Sequence, residues 1–383
     1  MKYTVTCLTP TLVGDGQKLS PIDYMVWKDH VNVLDQRRIF KLLARGPRLD
    51  SYLSQLKKAD RLDFASWGGF AQNFAGRRIP FEHSSLTAHW QRLAAENLFI
   101  PTFAASPAGN YLPATSIKGA LRTSALFKRW SHDTMEDAAK RSSTERIMRR
   151  VSSAEESAAL GASGADRMKF LAAADSSPVP NDEFKVYMLR VATMQARGAG
   201  KFELGWKQSP RGTVDGRRPD DSTPMFVEMA SPGAKFEGHW QERDFYKQPE
   251  ITRSLHWKTP DHAYYLAAAN DYAAAQLKSH REYAAALGLN AVAESIARVE
   301  SRLEQVRGSS NSCLLCIGYG GGFLSKASYT DTGDEAYRQI LRGLPFFARA
   351  IQSGLPFPKT RKIVFLSNQA GTVPGWVELN LGE

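Results

Sequence analysis

Hydrophobic and polar positions alternate over residues 2–8 and again over "FKVYMLRVAT" (184–193), which predicts a β-strand in each. "YMVWKDHVNVLD" reads as a hairpin. "MFVEMA" and "AKFEGHW" read as an antiparallel pair joined by Ser231-Pro232-Gly233. A helical period takes over elsewhere. "QRRIFKLLARGPRLDSYLSQLKK" is helical in two pieces, broken at Gly46-Pro47. Residues 261–307 are helical, with Val292, Ile296, Val299, Leu303 and Val306 on one stripe. That stripe packs on its own domain or on a partner helix. From 131 to about 180 the chain is rich in Ala, Ser and alternating charge, as in surface helices and loops. The tail returns to strands and glycines in "CLLCIGYGGGFLSKASY", "PFPKTRKIVF" and "GWVEL". No short repeat and no regular βα alternation is present, so the fold class is α+β.

At roughly 100–200 residues per domain, 383 residues predict two domains. A content of 43% hydrophobic and 23% charged residues is ordinary for a soluble globular chain. Nothing approaches the run of about 18 apolar residues that a membrane span needs, and the start lacks the apolar core of a signal peptide. No membrane partner is expected. Three cysteines cannot build a disulfide framework, which points to a reducing cytoplasm. Charge changes the picture most: 50 Lys and Arg against 39 Asp and Glu leave a net +11, the balance of a protein with a polyanionic partner.

"YLPATSIKGALRTSALF" (111–127) is where that charge meets a structural oddity. A glycine inside a helix costs about 1 kcal/mol relative to alanine. Cations at a helix amino end oppose the dipole. Ser116 reads as the N-cap after Pro113, leaving the N–H groups of Ile117, Lys118 and Gly119 free. Ile117, Ala120, Leu121, Ser124 and Phe127 form a packing face, and Lys118, Arg122 and Arg129 another. Free amides, lysine, arginine and a small Gly119 together make a phosphate site; the alternative is a helix with solvated cations. There is no GxxxxGK[ST] pattern, which excludes the common nucleoside triphosphatase loop.

Three further loops share this chemistry. "IGYGGGFLSKASY" carries Gly318, Gly320, Gly321, Gly322 and Lys326, with Tyr319 and Phe323 available to stack on bases; a tight structural loop is the alternative. "GDGQKLSPIDY" carries Gly14, Gly16, Lys18 and Ser20. "PKTRKI" carries Lys359, Arg361 and Lys362 into a strand. The expectation is that all four line one groove that grips a polynucleotide through its phosphates.

These segments, with "LTPTLVGDGQKLSPIDYMVW" and "MFVEMASPGAKFEG", resemble the RAMP superfamily of CRISPR proteins over nearly the full length and in the expected order. "P-x-[ST]-S-[IL]-K-G-A-L-R" is common to many RAMP proteins. "LSPIDY", "GGFLSK" and "PKTRK" are more similar to the Csm subunit that caps the crRNA 3′ end in type III-A effector complexes. The resemblance implies two ferredoxin-like (RRM-like) modules: 1–183 with a helical insertion at about 131–183, and 184–383 with an insertion at about 261–307 and the glycine-rich loop. It implies a non-catalytic subunit that holds the guide and supports its maturation and antiviral interference. The implied partners are crRNA, target RNA in the assembled complex, neighbouring backbone and small helical Csm subunits, and a recruited host nuclease; no cofactor is implied. Target cutting belongs to backbone subunits through an aspartate, but Asp23 lies inside "LSPIDY", so neither it nor Asp15 is assigned that role.

Other features carry less. Cys313 and Cys316 form CxxC, yet Cys7 offers no second pair for zinc, and two thiols in a buried strand is the better reading. His30 lies nearest an RNA motif and is a candidate general base only if the chain is instead a metal-free RAMP endoribonuclease acting on precursor crRNA. A backbone RAMP subunit is a third reading. The loop 207–223, with Arg211, Arg217 and Arg218, is either a base-wedging thumb or a polar surface loop.

Overall fold

The computed structural model describes residues 1–44, 46, 48–58, 73–198, 201–208, 215–258 and 261–382. The alternation at the amino terminus does form a strand: in Lys2–Cys7 the side chains of Tyr3, Val5 and Cys7 are buried, and those between are not. It lies in an antiparallel sheet whose order is Ser312–Cys316, Trp376–Leu381, Lys2–Cys7, Lys235–Glu242 and Leu171–Ala173. Strands from both sides of residue 183 therefore share this sheet.

The second sheet is organised by one long strand, Phe184–Ala196. One of its edges pairs with Met225–Ala230 along its first half and with Phe202–Lys207 along its second. Its other edge pairs with Thr360–Leu366, which turns back into Gln369–Thr372. Tyr24–Trp27, His30–Leu34 and Ala75–Pro80 form a separate three-stranded sheet, linked to the second by a parallel bridge from Phe81 to Val186.

The expected pair of "MFVEMA" and "AKFEGHW" is not a hairpin. Met225–Ala230 joins the second sheet and Lys235–Glu242 the first, so Ser231-Pro232-Gly233 carries the chain between sheets. The burial patterns give the reason. Met225–Ala230 is buried on both faces, whereas Lys235–Glu242 alternates between buried and exposed. A strand covered on both faces and one covered on a single face belong in different surroundings.

Two cores result. In Ser312–Cys316, Cys313 and Leu315 enter one, and Leu314 and Cys316 the other. In Thr360–Leu366, Val364 enters the first core, and Ile363 and Phe365 the second. The helical stretch is a hairpin of His262–Ala286 and Asn290–Val306, and every member of the 292–306 stripe is buried within this chain. The stretch after 130 forms His132–Arg141 and Glu145–Leu160 as expected, then adds the short edge strand Leu171–Ala173. The two helical pieces near 40 and 50 are Gln36–Leu43 and Leu49–Lys58; Pro47 of the expected break lies outside the described residues. The tail also contains two short helices that its glycines and prolines did not suggest, Glu335–Arg342 and Pro345–Gln352.

Candidate nucleic-acid interface

The helix that opened the question begins at Ala114, two residues before Ser116. Pro113 is the N-cap, and the Ala114 N–H donates to Asp175 Oδ1 at 2.8 Å. Ser116 is not the cap: its hydroxyl donates to the Pro113 carbonyl at 2.7 Å. With the start moved back, the N–H groups of Ile117, Lys118 and Gly119 fall inside the helix's own ladder. The reading of three free amides there is corrected.

The helix still contributes a surface. Thr115, Ser116, Gly119 and Thr123 form one wall of a cleft of about 630 Å³. Gly14, Gly16, Lys18 and Thr102 form the facing wall, and Gly318, Tyr319 and Lys326 close it. The loop at 13–17 is tied down by Ala104 N–H to the Val13 carbonyl (2.9 Å) and Thr102 N–H to the Gln17 carbonyl (3.2 Å). Lys18 holds its ammonium 4.5 Å from the centre of the Phe99 ring. Gly119, an oddity inside a helix, is exposed with open space where a side chain would stand.

A second cleft of about 650 Å³ lies along the same loop. Tyr319 is common to both linings and stands between the two. Gly320, Gly321 and Gly322 form one side of the second cleft, Lys207 and Met225 another, and Lys359, Thr360, Arg361 and Lys362 a third. The phenylalanines 323, 346, 347 and 357 complete it.

The glycine loop serves packing as well as access. Gly318 has φ +74 and its backbone lies so close to Leu12 that a Cβ would fall 2.0 Å from the Leu12 carbonyl oxygen. The Tyr319 N–H donates to that same oxygen at 2.7 Å. Gly322, by contrast, has φ +68 and is exposed, and a Cβ there would meet only the Gly320 carbonyl oxygen at 4.0 Å, so its bare backbone is available to a ligand.

The cations sort differently from the sequence expectation. Lys118 and Arg122 line neither cleft. Arg122 is held by Glu156 (2.9 and 2.7 Å) and Asp166 (2.7 Å). Lys118 is half-buried on the same side, and burial together with the Arg243 charge holds its pKa below the ordinary value. Arg122 therefore serves the contact between this helix and the 145–169 region. Arg361 reaches the second cleft but is buried: it donates to the Thr360 carbonyl (3.0 Å) and to His280 Nδ1 (3.3 Å), and stacks on Tyr283 at 4.6 Å. Burial lowers its pKa to about 10. Its neighbour Lys362, on the opposite face of the strand, places its ammonium 4.3 Å over the Tyr319 ring. Lys362 lines the cleft as the PKTRKI loop suggested, and Lys207 is the cation that sequence reasoning left off the site. Period-two alternation puts Lys362 on the face opposite the buried Arg361.

Together the linings hold Lys18, Lys326, Lys207, Lys359, Arg361 and Lys362, and among the described residues neither contains an aspartate, glutamate or histidine. Asp23 instead accepts from the Ser20 N–H and hydroxyl (2.7 and 2.6 Å), and Asp15 from the Gln17 N–H (3.0 Å). His30 lies on the separate sheet, with Nδ1 2.7 Å from Asp29. Cys313 and Cys316 stand on opposite faces of their strand, and burial pushes the Cys316 thiol up to about 12. Arg217 and Arg218 are exposed outside both clefts; Arg218 pairs with Asp221 at 3.5 Å, and Arg211 lies outside the described residues. Among the described residues, no helix is long and apolar enough to cross a membrane.

The sequence model of the RAMP superfamily matches residues 4–325. A chain of a Csm–crRNA–target RNA ternary complex of a type III-A CRISPR-Cas system, solved by cryo-EM, has a similar fold: TM-score 0.63 and 19% identity, over 99% of this chain and 100% of that one. The crystal structure of T. onnurineus Csm5 is similar too: TM-score 0.59 and 17% identity, over the same 99% and 100%. No curated protein matches the chain. At these identities the likeness to both structures is one of fold.

Proposed function

The chain belongs to the RAMP superfamily, and from that membership we propose that it is the guide-binding subunit that caps the crRNA 3′ end in a type III-A Csm effector complex. In this reading the protein does no chemistry on RNA. It grips a single strand by its phosphates, protects the guide's end and supports the end's maturation and antiviral interference. The chain acts in the cytoplasm as two ferredoxin-like modules, whose strands interleave across residue 183 and are not divided there as 1–183 and 184–383. Its partners are crRNA, target RNA and neighbouring Csm subunits, with a recruited nuclease as a further contact.

The observation that carries the reading is the pair of neighbouring clefts that share Tyr319, lined among the described residues by six cations and no carboxylate. Guide spacers vary in sequence, so the grip has to be blind to bases. Phosphate contacts made by lysines and bare backbone provide that. The RNA-facing groups are Gly14, Gly16, Lys18, Ser116 and Gly119 with Lys326 along the first cleft, and Gly320–Gly322, Lys359 and Lys362 along the second. The fold likeness to a chain of a Csm–crRNA–target RNA complex supports the assignment.

The test is reconstitution of the complex with and without this chain, followed by mapping of guide 3′ ends after nuclease challenge. Protection of the 3′ segment only when the chain is present is expected; identical ends in both preparations would refute capping. The endoribonuclease reading is tested on the same protein. Metal-free, site-specific cleavage of repeat RNA that His30→Ala abolishes would replace the capping role.

A further inference from the structure

Resting on the reading of the two clefts as an RNA path, we propose that the second cleft is a base-stacking subsite in which Phe346 takes the face of one unpaired nucleotide, while the first cleft holds only backbone. The two linings differ in kind. The first joins glycines, serines, threonines and lysines to aliphatic residues such as Leu12, Val13, Pro101 and Ile317, and among the described residues Tyr319 is its one aromatic. The second adds four phenylalanines beside its lysines.

Three of those rings are committed to each other. Phe323, Phe347 and Phe357 pack edge to face, with centroids 4.8–5.7 Å apart, over the small core of Leu341 and Ile351. Phe323 is therefore scaffold and not the stacking ring that its place in the glycine loop suggests. Phe346 is different: it touches Phe347 at 5.0 Å, edge to face, and is 87% exposed. Its short helix, Pro345–Gln352, rests on Glu335–Arg342 through that core, so the ring is presented from a packed platform. Isolated exposed apolar residues are common on surfaces. This one stands at the mouth of a cleft whose charged groups are Lys207, Lys359, Arg361 and Lys362. A flat apolar ring bordered by cations, with no carboxylate among the described residues of the lining, is complementary to a base and its phosphate, and stacking on it does not read sequence.

The test uses the full chain, an unstructured oligouridine and an abasic ribose-phosphate oligomer of the same length. Phe346→Ala is expected to lower oligouridine affinity roughly five- to a hundred-fold, the range seen for one stacked base, with the salt slope unchanged. Affinity for the abasic oligomer should not change. Phe346→Trp should restore binding and add fluorescence quenching, relative to the wild type, with oligouridine but not with the abasic oligomer. Because the ring is exposed, neither substitution threatens folding. Unchanged oligouridine affinity in Phe346→Ala, or no added quenching in Phe346→Trp, overturns the stacking site and leaves the phosphate groove standing. A Phe346→Ala chain that binds RNA normally but loses a neighbouring subunit also overturns it, assigning the ring to a protein contact. A wild-type chain that binds no RNA would instead remove the groove reading itself.

Discussion

Removing Lys326 and Lys359 together tests the groove through its dependence on salt. Lys326 is exposed on the first cleft and Lys359 half-buried on the second. Among the described residues neither belongs to an ion pair, so each is available to a phosphate. With Lys18 and Lys362 they are the four lysines assigned above to the RNA, and among the described residues no carboxylate lines either cleft. For single strands each neutralised phosphate contributes a slope of about −0.7 in log K against log salt. Four such contacts give about −2.8, or roughly a fifty-fold loss of affinity between about 50 and 200 mM salt. The Lys326→Ala/Lys359→Ala variant keeps two contacts, a slope near −1.4 and roughly a seven-fold loss over the same range. Fluorescence anisotropy with a labelled unstructured RNA reads both slopes. Lys118→Ala is the control: it lies off both clefts and should leave the slope alone. A wild-type slope in the double variant, or a flattened one in Lys118→Ala, would refute the groove as drawn here.

Other expectations concern the frame. Glu228 is fully buried and accepts from Arg77 and from Asn110 Nδ2 at 3.0 Å. Arg77→Ala strands that carboxylate and should cost about 3 kcal/mol in urea unfolding; a change below about 1 kcal/mol would show that the charge is not confined. Ile296→Ala opens the core under the 290–306 helix and should cost about 2–5 kcal/mol in the same assay, whereas an unaffected stability would put the stripe against a partner instead. His132 bonds Asp334 through Nδ1 at 2.7 Å, and that hydrogen bond raises the histidine pKa. A raised folded pKa gives stability that is fully present below the unfolded value of about 6.5 and lost as pH rises through the folded value. The melting-temperature gap between wild type and His132→Ala should therefore shrink as pH rises, and a gap that stays constant contradicts this.

Local signals were legible where both partners lie close in sequence. The hairpin Tyr24–Trp27 with His30–Leu34 and the stripe at 292–306 needed only alternation or period. Signals failed where a distant residue decides. Asp175 fixes the start of the Ala114 helix from 61 positions away, so no inspection of "PATSIKG" could find that cap. The strands at 225–230 and 235–242 are adjacent in sequence, yet each finds a better partner elsewhere. Leu171–Ala173 is three residues long, too short to show a period, and exists because the edge of Lys235–Glu242 is there to pair with.

The candidate site divides along the same line. Gly14, Gly16, Lys18, Gly318, Lys326 and Lys359 reach the two clefts because the loops that carry them follow or precede strands, and strand ends bring loops together. Lys118 and Arg122 do not, although their motif was the most conspicuous. A cation's sequence position does not show whether an acid answers it, and for Arg122 two do, Glu156 and Asp166, both from a stretch without any recognisable motif. The same helix nevertheless supplies Gly119 to the cleft on its other face. One short sequence thus presents two faces: Arg122, answered by Glu156 and Asp166, and small residues that line the first cleft. On the proposed reading, the glycine that weakens the helix leaves room for an anionic strand, and Arg122 takes no part in holding it.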